Sequence, residues 1–348
     1  MKRLLTGAVL LIGCGAFGQD TTKKATLNVS GSLDAYYRYN FSNAKDSLRT
    51  NNYTSFTNSQ NSFELGMASV KLDGSIGKVG ATVDLGFGKR AEEFSYNDSK
   101  TMAAIKQAYL SYSASDKVKF TFGKWGTHVG YELLDAYLNR NYSMDYMFSY
   151  GPFFHTGLKA DIALGSGFGL MLGVVNPTDY SSASFEKKNF IAQFSGGSKS
   201  GKFKGYLNYV GGKDVSDNSI NQVDLVLTGT VTSKFSIGYN GTIKSVNPVV
   251  GSTNSWWGSA LYLNVDPTSM FGLTLRGEYF DDKKGVAGLA TSIFDATLSA
   301  NIRIDNLTII PEFRLDSSKD PVFFKNSDTD LPTSKSTGSF ILAATYHF

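Results

Sequence analysis

The chain has 348 residues, 41% hydrophobic, 14% aromatic and 18% charged, where soluble domains carry about 25% charge, with 36 Gly, 25 Phe and 19 Tyr but 7 Pro. A disordered chain would be poor in aromatics, and a spanning helix needs about 18 apolar residues in a row, which the sequence lacks at a mean hydropathy of -0.16. A formal charge of +4 is too small to imply nucleic acid, so an all-β protein remains, either secreted or built into an outer membrane.

The first segment sets the compartment. Lys2 and Arg3 precede an apolar run from Leu4 to Phe17, and Ala16-Phe17-Gly18 is a small-x-small cleavage site. Residues 1–18 therefore read as a secretory signal peptide, with 19–348 as the mature chain. Leu11-Ile12-Gly13-Cys14 also fits a lipoprotein signal, in which Cys14 would be lipidated and retained. Cys14 is the only cysteine, so after cleavage before Gln19 no disulfide can contribute to the fold.

From Ala25 onward the chain repeats one unit: about ten residues of alternating character, then a turn. In the first unit Leu27, Val29, Leu33, Ala35, Tyr37 and Tyr39 share one face, and Asn28, Ser30, Ser32, Asp34, Tyr36 and Arg38 the other. Sixteen such segments start near Ala25, Asn61, Lys78, Ala103, Lys117, Phe154, Gly167, Lys188, Lys202, Asn221, Lys234, Ser255, Met270, Ser292, Asn306 and Gly338. Their connections are expected to alternate strictly between short and long, the asymmetry of a barrel with tight periplasmic turns and longer outside loops. An even number of antiparallel strands lets the sheet close, and closure is obligatory in lipid because an open edge has no partner there. The fold expected is a transmembrane, antiparallel, up-and-down β-barrel of about sixteen strands.

Polar faces place charged residues toward water, since an Arg or Lys on the lipid face at mid-bilayer costs about 2 to 4 kcal/mol. The expected lumen wall includes Asp34, Arg38, Glu64, Lys204, Arg276, Glu278, Arg303, Glu312 and Arg314, with Asp84, Lys159, Asp161, Asp224, Lys244 and Asp295 on the same faces. Both signs occur, which predicts weak ion selectivity. Tyr37, Tyr39, Trp257, Phe271 and Tyr279 lie near segment ends, where interfacial girdles sit. Phe340, Leu342, Ala344, Tyr346 and Phe348 share one face of the last segment, which looks like the terminal strand that the barrel-assembly machinery reads in Gram-negative bacteria.

Two stretches carry a family resemblance. Gly31-Ser32-Leu33-Asp34-Ala35-Tyr36-Tyr37, and the run from Phe122-Gly123-Lys124-Trp125 through Gly130-Tyr131-Glu132 and Tyr150-Gly151-Pro152 to Gly157-Leu158, resemble the OmpL-like β-barrel porin-2 family of Gram-negative outer membranes. The resemblance implies a single-chain porin-like barrel in the outer membrane, in contact with its lipid. Porins fold a long loop into the lumen, and the resemblance places the loop 131–152 there. Tyr131, Glu132, Asp135, Arg140 and Asp145 would then form the pore constriction, its acids and bases setting up a transverse field that favours small polar solutes. Leu133 to Leu138 reads as a short helix.

Enzymatic readings find little support. His128, His155 and His347 lie far apart in sequence without a hydrolase motif or metal-ligand spacing, and Gly165-Ser166-Gly167-Phe168-Gly169 joins two strands as a hairpin turn rather than a phosphate loop. No catalytic residue, metal or cofactor is assigned. The reading is a porin for passive diffusion of small hydrophilic solutes or ions. The alternative is a non-channel outer-membrane barrel acting as adhesin, receptor or anchor of an assembly. Porins commonly form trimers, so a homo-oligomer is open.

Overall fold

A computed structural model describes residues 24–44, 50–184, 187–328 and 330–348. The signal peptide and Cys14 lie outside the described residues. Sixteen antiparallel strands close on themselves in sequence order, with β1 paired to β2 and to β16. They are β1 (Ala25–Asn40), β2 (Ser62–Ile76), β3 (Val79–Phe87), β4 (Ile105–Ser115), β5 (Val118–Gly126), β6 (Phe154–Gly165), β7 (Phe168–Val175) and β8 (Asn189–Gly197). The second half comprises β9 (Phe203–Lys213), β10 (Ser219–Thr232), β11 (Phe235–Asn247), β12 (Asn254–Val265), β13 (Phe271–Asp281), β14 (Ser292–Ile304), β15 (Leu307–Ser318) and β16 (Ser336–His347). Every strand starts within two residues of its expected position.

The loop rule needs a correction. Six of the seven inner connections are tight or short as expected, and the seventh, 266–270, is also only five residues. On the outer side, however, 214–218 and 248–253 are five and six residues long, so the alternation is not strict. The reason is local: β10 and β11 run 14 and 13 residues and carry the hairpin outward, leaving little chain for a loop.

Alternation of apolar and polar residues is what orients each strand. Outward positions such as Leu27, Val29, Leu273, Leu275 and Phe313 are exposed on the lipid face, while Asp34, Arg276, Glu278, Asp295 and Glu312 on the inner face are no more than 3% exposed. The barrel's packed interior is therefore polar, the reverse of a soluble sandwich. Aromatics on the outside pair across strands at the outer level, Tyr37 with Phe63 and Trp257 with Tyr279, and along the terminal strand at the inner level, Tyr346 with Phe348. Phe348 closes the seam: its backbone exchanges hydrogen bonds of 3.0 and 3.1 Å with Gly31. Only glycine fits at position 31, because a Cβ there would lie 2.6 Å from the Phe348 ring.

Candidate functional site

The connection between β5 and β6, residues 127–153, lies inside the barrel. Tyr142, Ser143, Met144, Asp145 and Tyr146 are at most 1% exposed. Two local devices shape it. Asp145 caps the short helix α2 (Tyr146–Ser149) by accepting the Phe148 N–H at 2.6 Å. Asn139 folds back on Leu133, accepting its N–H and donating to its carbonyl, which limits the helix expected over Leu133 to Leu138 to a single 3-10 turn at Ala136–Leu138.

The wall grips this loop by its backbone. Glu278 on β13 accepts the N–H groups of Tyr146 and Met147 at 2.7 and 2.9 Å, and Glu312 on β15 accepts those of Tyr142 and Ser143 at 2.7 and 3.0 Å. Arg276 lies between them, bonded to Glu132 at 2.6 Å, Asp295 at 2.7 Å and the Ser143 carbonyl at 2.7 Å. Arg314 meets Asp316 at 2.8 Å and the Met144 carbonyl at 2.7 Å. The hydroxyls of Tyr142, Tyr146 and Tyr262 donate to Asp34, Asp316 and Asp145 at 2.6, 2.9 and 2.7 Å. Buried charge is tolerated only when nearly every lone pair and proton is matched, as here. Burial pushes the Glu132 and Asp145 carboxyls of the loop up, against the opposing pull of Arg276.

The expected constriction residues all lie in or against the lumen, but their charges do not face one another across an open gap. Glu132 contacts Arg276, Asp135 contacts Lys106 at 2.6 Å, and Arg140 pairs with Asp266 at 2.9 Å near the inner end, where Arg303 shares the same oxygen. Tyr131 stacks on Tyr262 at 4.1 Å and covers Gly238, where a Cβ would sit 2.6 Å from its ring. Among the wall residues Asp34, Arg276, Glu278, Glu312 and Arg314 hold the loop, and Arg38 instead donates to the Thr50 and Ser59 carbonyls of the first outer loop. Glu64 lies opposite Tyr36 on the inner face, and Lys204 stands exposed at the inner end. Tyr346 and Phe348 are on the lipid face, 45% and 58% exposed.

Several contributors escaped the sequence reading. Arg90, in the short helix α1 (Lys89–Phe94; first in chain order), is fully buried with its guanidinium 4.9 Å from both the Phe56 and Tyr142 rings. Its helix is one turn inside a long loop, so no periodicity marks it. Lys106 bonds Asp84 at 3.1 Å as well as Asp135, at a point where a register shift between β3 and β4 breaks the alternation. His128 and His155, distant in sequence, come together with ring centroids 5.2 Å apart. Each Nε2 is bonded at 3.2 Å, His128 to the Tyr209 carbonyl and His155 to the Thr127 hydroxyl, and among the described residues neither forms a hydrogen bond with an acid.

The denser fastening of the loop to β13 and β15 leaves space along the other side, where Lys106 and Tyr209 hold it at single points. An outer vestibule of about 510 Å³ is lined by Glu93, Tyr96, Tyr150, Phe153, Asp179 and Lys244 among others. Burial raises the Asp179 carboxyl to about 6, although it accepts the Phe153 and Phe154 N–H groups and the Tyr96 hydroxyl. Phe153 also lines a pocket of about 230 Å³ between the loop and β4, beside Lys106, Gln107, Glu132 and Asp135. Below it lie two inner cavities of about 210 and 440 Å³ that share Lys119. One face of β4 links them all: Gln107 lines the middle pocket, Tyr109 and Ser111 the first inner cavity, and Ser113 the second.

Residues 26–348 match the model of the family described as "Putative beta-barrel porin-2, OmpL-like". The chain belongs to this family. It is an outer-membrane barrel of the porin class, and the Gram-negative outer membrane is its location. No curated protein matches it in sequence. Solved structures share its fold at low identity. The outer membrane channel DcaP of Acinetobacter baumannii is 13% identical with a TM-score of 0.63, over 93% of this chain and 97% of that one. An anion-selective porin from Comamonas acidovorans is 10% identical with a TM-score of 0.62, over 93% and 100%. The trimer form of OmpT from Vibrio cholerae is 13% identical with a TM-score of 0.60, over 93% and 99%.

Proposed function

We propose that this porin-family barrel admits small hydrophilic solutes and ions by passive diffusion, along the face of β4 rather than through the centre of the lumen. The observation that carries the reading is the uneven attachment of loop 127–153, whose backbone is gripped most densely by β13 and β15 while β4 holds it through the Lys106–Asp135 pair, together with the cavities left along the β4 side. Tyr131, Glu132, Asp135, Arg140 and Asp145 narrow the lumen in this scheme by holding the loop in place. Lys106, Gln107 and Tyr109 are the groups a solute meets. The scheme includes no catalytic step and no cofactor. Assembly as a homo-oligomer, and reading of Tyr346 and Phe348 by the assembly machinery, belong to the same proposal.

Dense burial of the loop favours one competing reading, a closed barrel serving as receptor or anchor. Planar-bilayer recording of the refolded protein separates the two. Steady current steps, with liposome swelling that falls off as the solute grows, are the expected result. A folded barrel that passes neither ions nor sugars would overturn it.

A further inference from the structure

We propose that the solute path is polarised in charge along its axis, acidic through its outer part and basic at its periplasmic exit, so that the pore rectifies current and retains small multivalent anions at its inner mouth. The inference rests on the porin reading above. At the inner end, Lys71, Lys119, Lys159 and Lys204 lie on the lumen face with Arg140 and Arg303. Three acids pair with four of these six bases, and at the turn Asp116 is matched by Lys117 in the lining of the second inner cavity. Asp73 pairs with Lys71 at 3.0 Å, Asp161 with Lys159 at 3.1 Å, and Asp266 is shared by the two arginines. Among the described residues Lys119 and Lys204 have no ion pair, and Lys119 lines both inner cavities.

Further out the sign reverses. Asp224 and Glu312 receive only N–H and O–H donors, with no base at ion-pair distance among the described residues. Arg38, which among the described residues bonds only carbonyls, offsets one of these charges, and the other neighbouring bases are already shared. Arg276 serves both Glu132 and Asp295, and Lys106 serves both Asp84 and Asp135. The outer vestibule adds Glu93, Asp179 and Asp214 against Lys244. These groups act on a solute through the field, which low-dielectric walls focus into the remaining water-filled track. A pore with opposite fixed charge at its two ends fills with mobile ions under one voltage and is depleted of them under the other, which is the origin of rectification.

Current–voltage curves of the full chain, inserted in one orientation, test this on the unmodified protein. In 0.1 M KCl the Debye length is about 10 Å and the currents at opposite voltages should differ by roughly twofold; in 1 M KCl, at about 3 Å, the difference should collapse. Pyrophosphate added on the periplasmic side should reduce current more than the same addition outside. The double variant Lys119→Gln/Lys204→Gln should abolish that sidedness and bring the low-salt ratio toward one. Equal currents in 0.1 M KCl, or rectification that the double variant leaves intact, would overturn the polarity while leaving the porin reading in place. Absence of any current would overturn both.

Discussion

Two walls of the same barrel treat the loop between them differently. Strands β12 to β16, with β1, present Glu278, Glu312, Arg276, Arg314 and Asp34, and each of these makes a contact of 2.6 to 3.0 Å with the loop. Strands β3 to β8 touch the loop at fewer points, chiefly through Lys106 to Asp135, and small groups such as Thr82, Ser111, Ser113, Gly169 and Ser195 leave cavities along them. A sixteen-stranded lumen is wide enough for water, and what decides where that water runs is which wall carries acceptors for the loop's amides. A carboxylate that takes two successive N–H groups holds backbone, which cannot rotate away as a side chain can. The comparison therefore assigns most of the hold on the loop to the first wall and passage to the second.

The strongest way to break that division is Arg276→Ala. It leaves Glu132 without its base and Asp295 with only Arg314 at 3.3 Å, and removing one partner of a buried ion pair costs about 3 to 5 kcal/mol. Loop release should follow, seen as protease cleavage within residues 127–153 and a higher, noisier conductance; a tightly held loop in this variant would refute the clamp. Glu312→Ala should have a smaller effect of the same kind, about 1 to 3 kcal/mol for the amides of Tyr142 and Ser143 left unpartnered, read as faster hydrogen exchange at those two residues.

On the opposite wall, Tyr109→Ala should raise conductance with little change in loop protection, since its ring lines the first inner cavity below the middle pocket. The same change in a clamped-side tyrosine, Tyr142→Ala, should instead loosen the loop.

Asp179 sharpens the comparison at the outer rim. Its carboxyl titrates near 3.9 in an unfolded chain and is raised to about 6 here, so the folded form holds the proton longer. Stability at that junction should therefore fall as pH rises from about 4 to about 6 and then level off. Asp179→Asn keeps an oxygen for the Phe153 and Phe154 N–H groups and should flatten the profile in a pH series of hydrogen exchange. Arg140→Ala should matter least, by up to about 1 kcal/mol, because its pair with Asp266 is about a quarter to a third exposed and Arg303 remains to hold the acid.

Alternation along the chain determined most of the architecture. A period of two assigns every residue of Leu27 to Tyr39 to lipid or lumen, and the lipid penalty for charge then decides which face is which, so strand number, strand starts and wall residues such as Arg276 and Glu312 are legible without coordinates. What alternation cannot contain is the partner of each inward group. Glu132 and Arg276 are 144 residues apart, and Tyr142 and Glu312 are 170 apart. Only closure of the barrel brings them within reach. Arg90, Lys106 and the paired rings of His128 and His155 were hidden for the same reason, since loops and register shifts carry no period to read. The local pattern set each side chain's face, and the tertiary structure alone decided that the loop is held most densely by β13 and β15, because the energy of that attachment lies in contacts between the loop and strands distant in sequence.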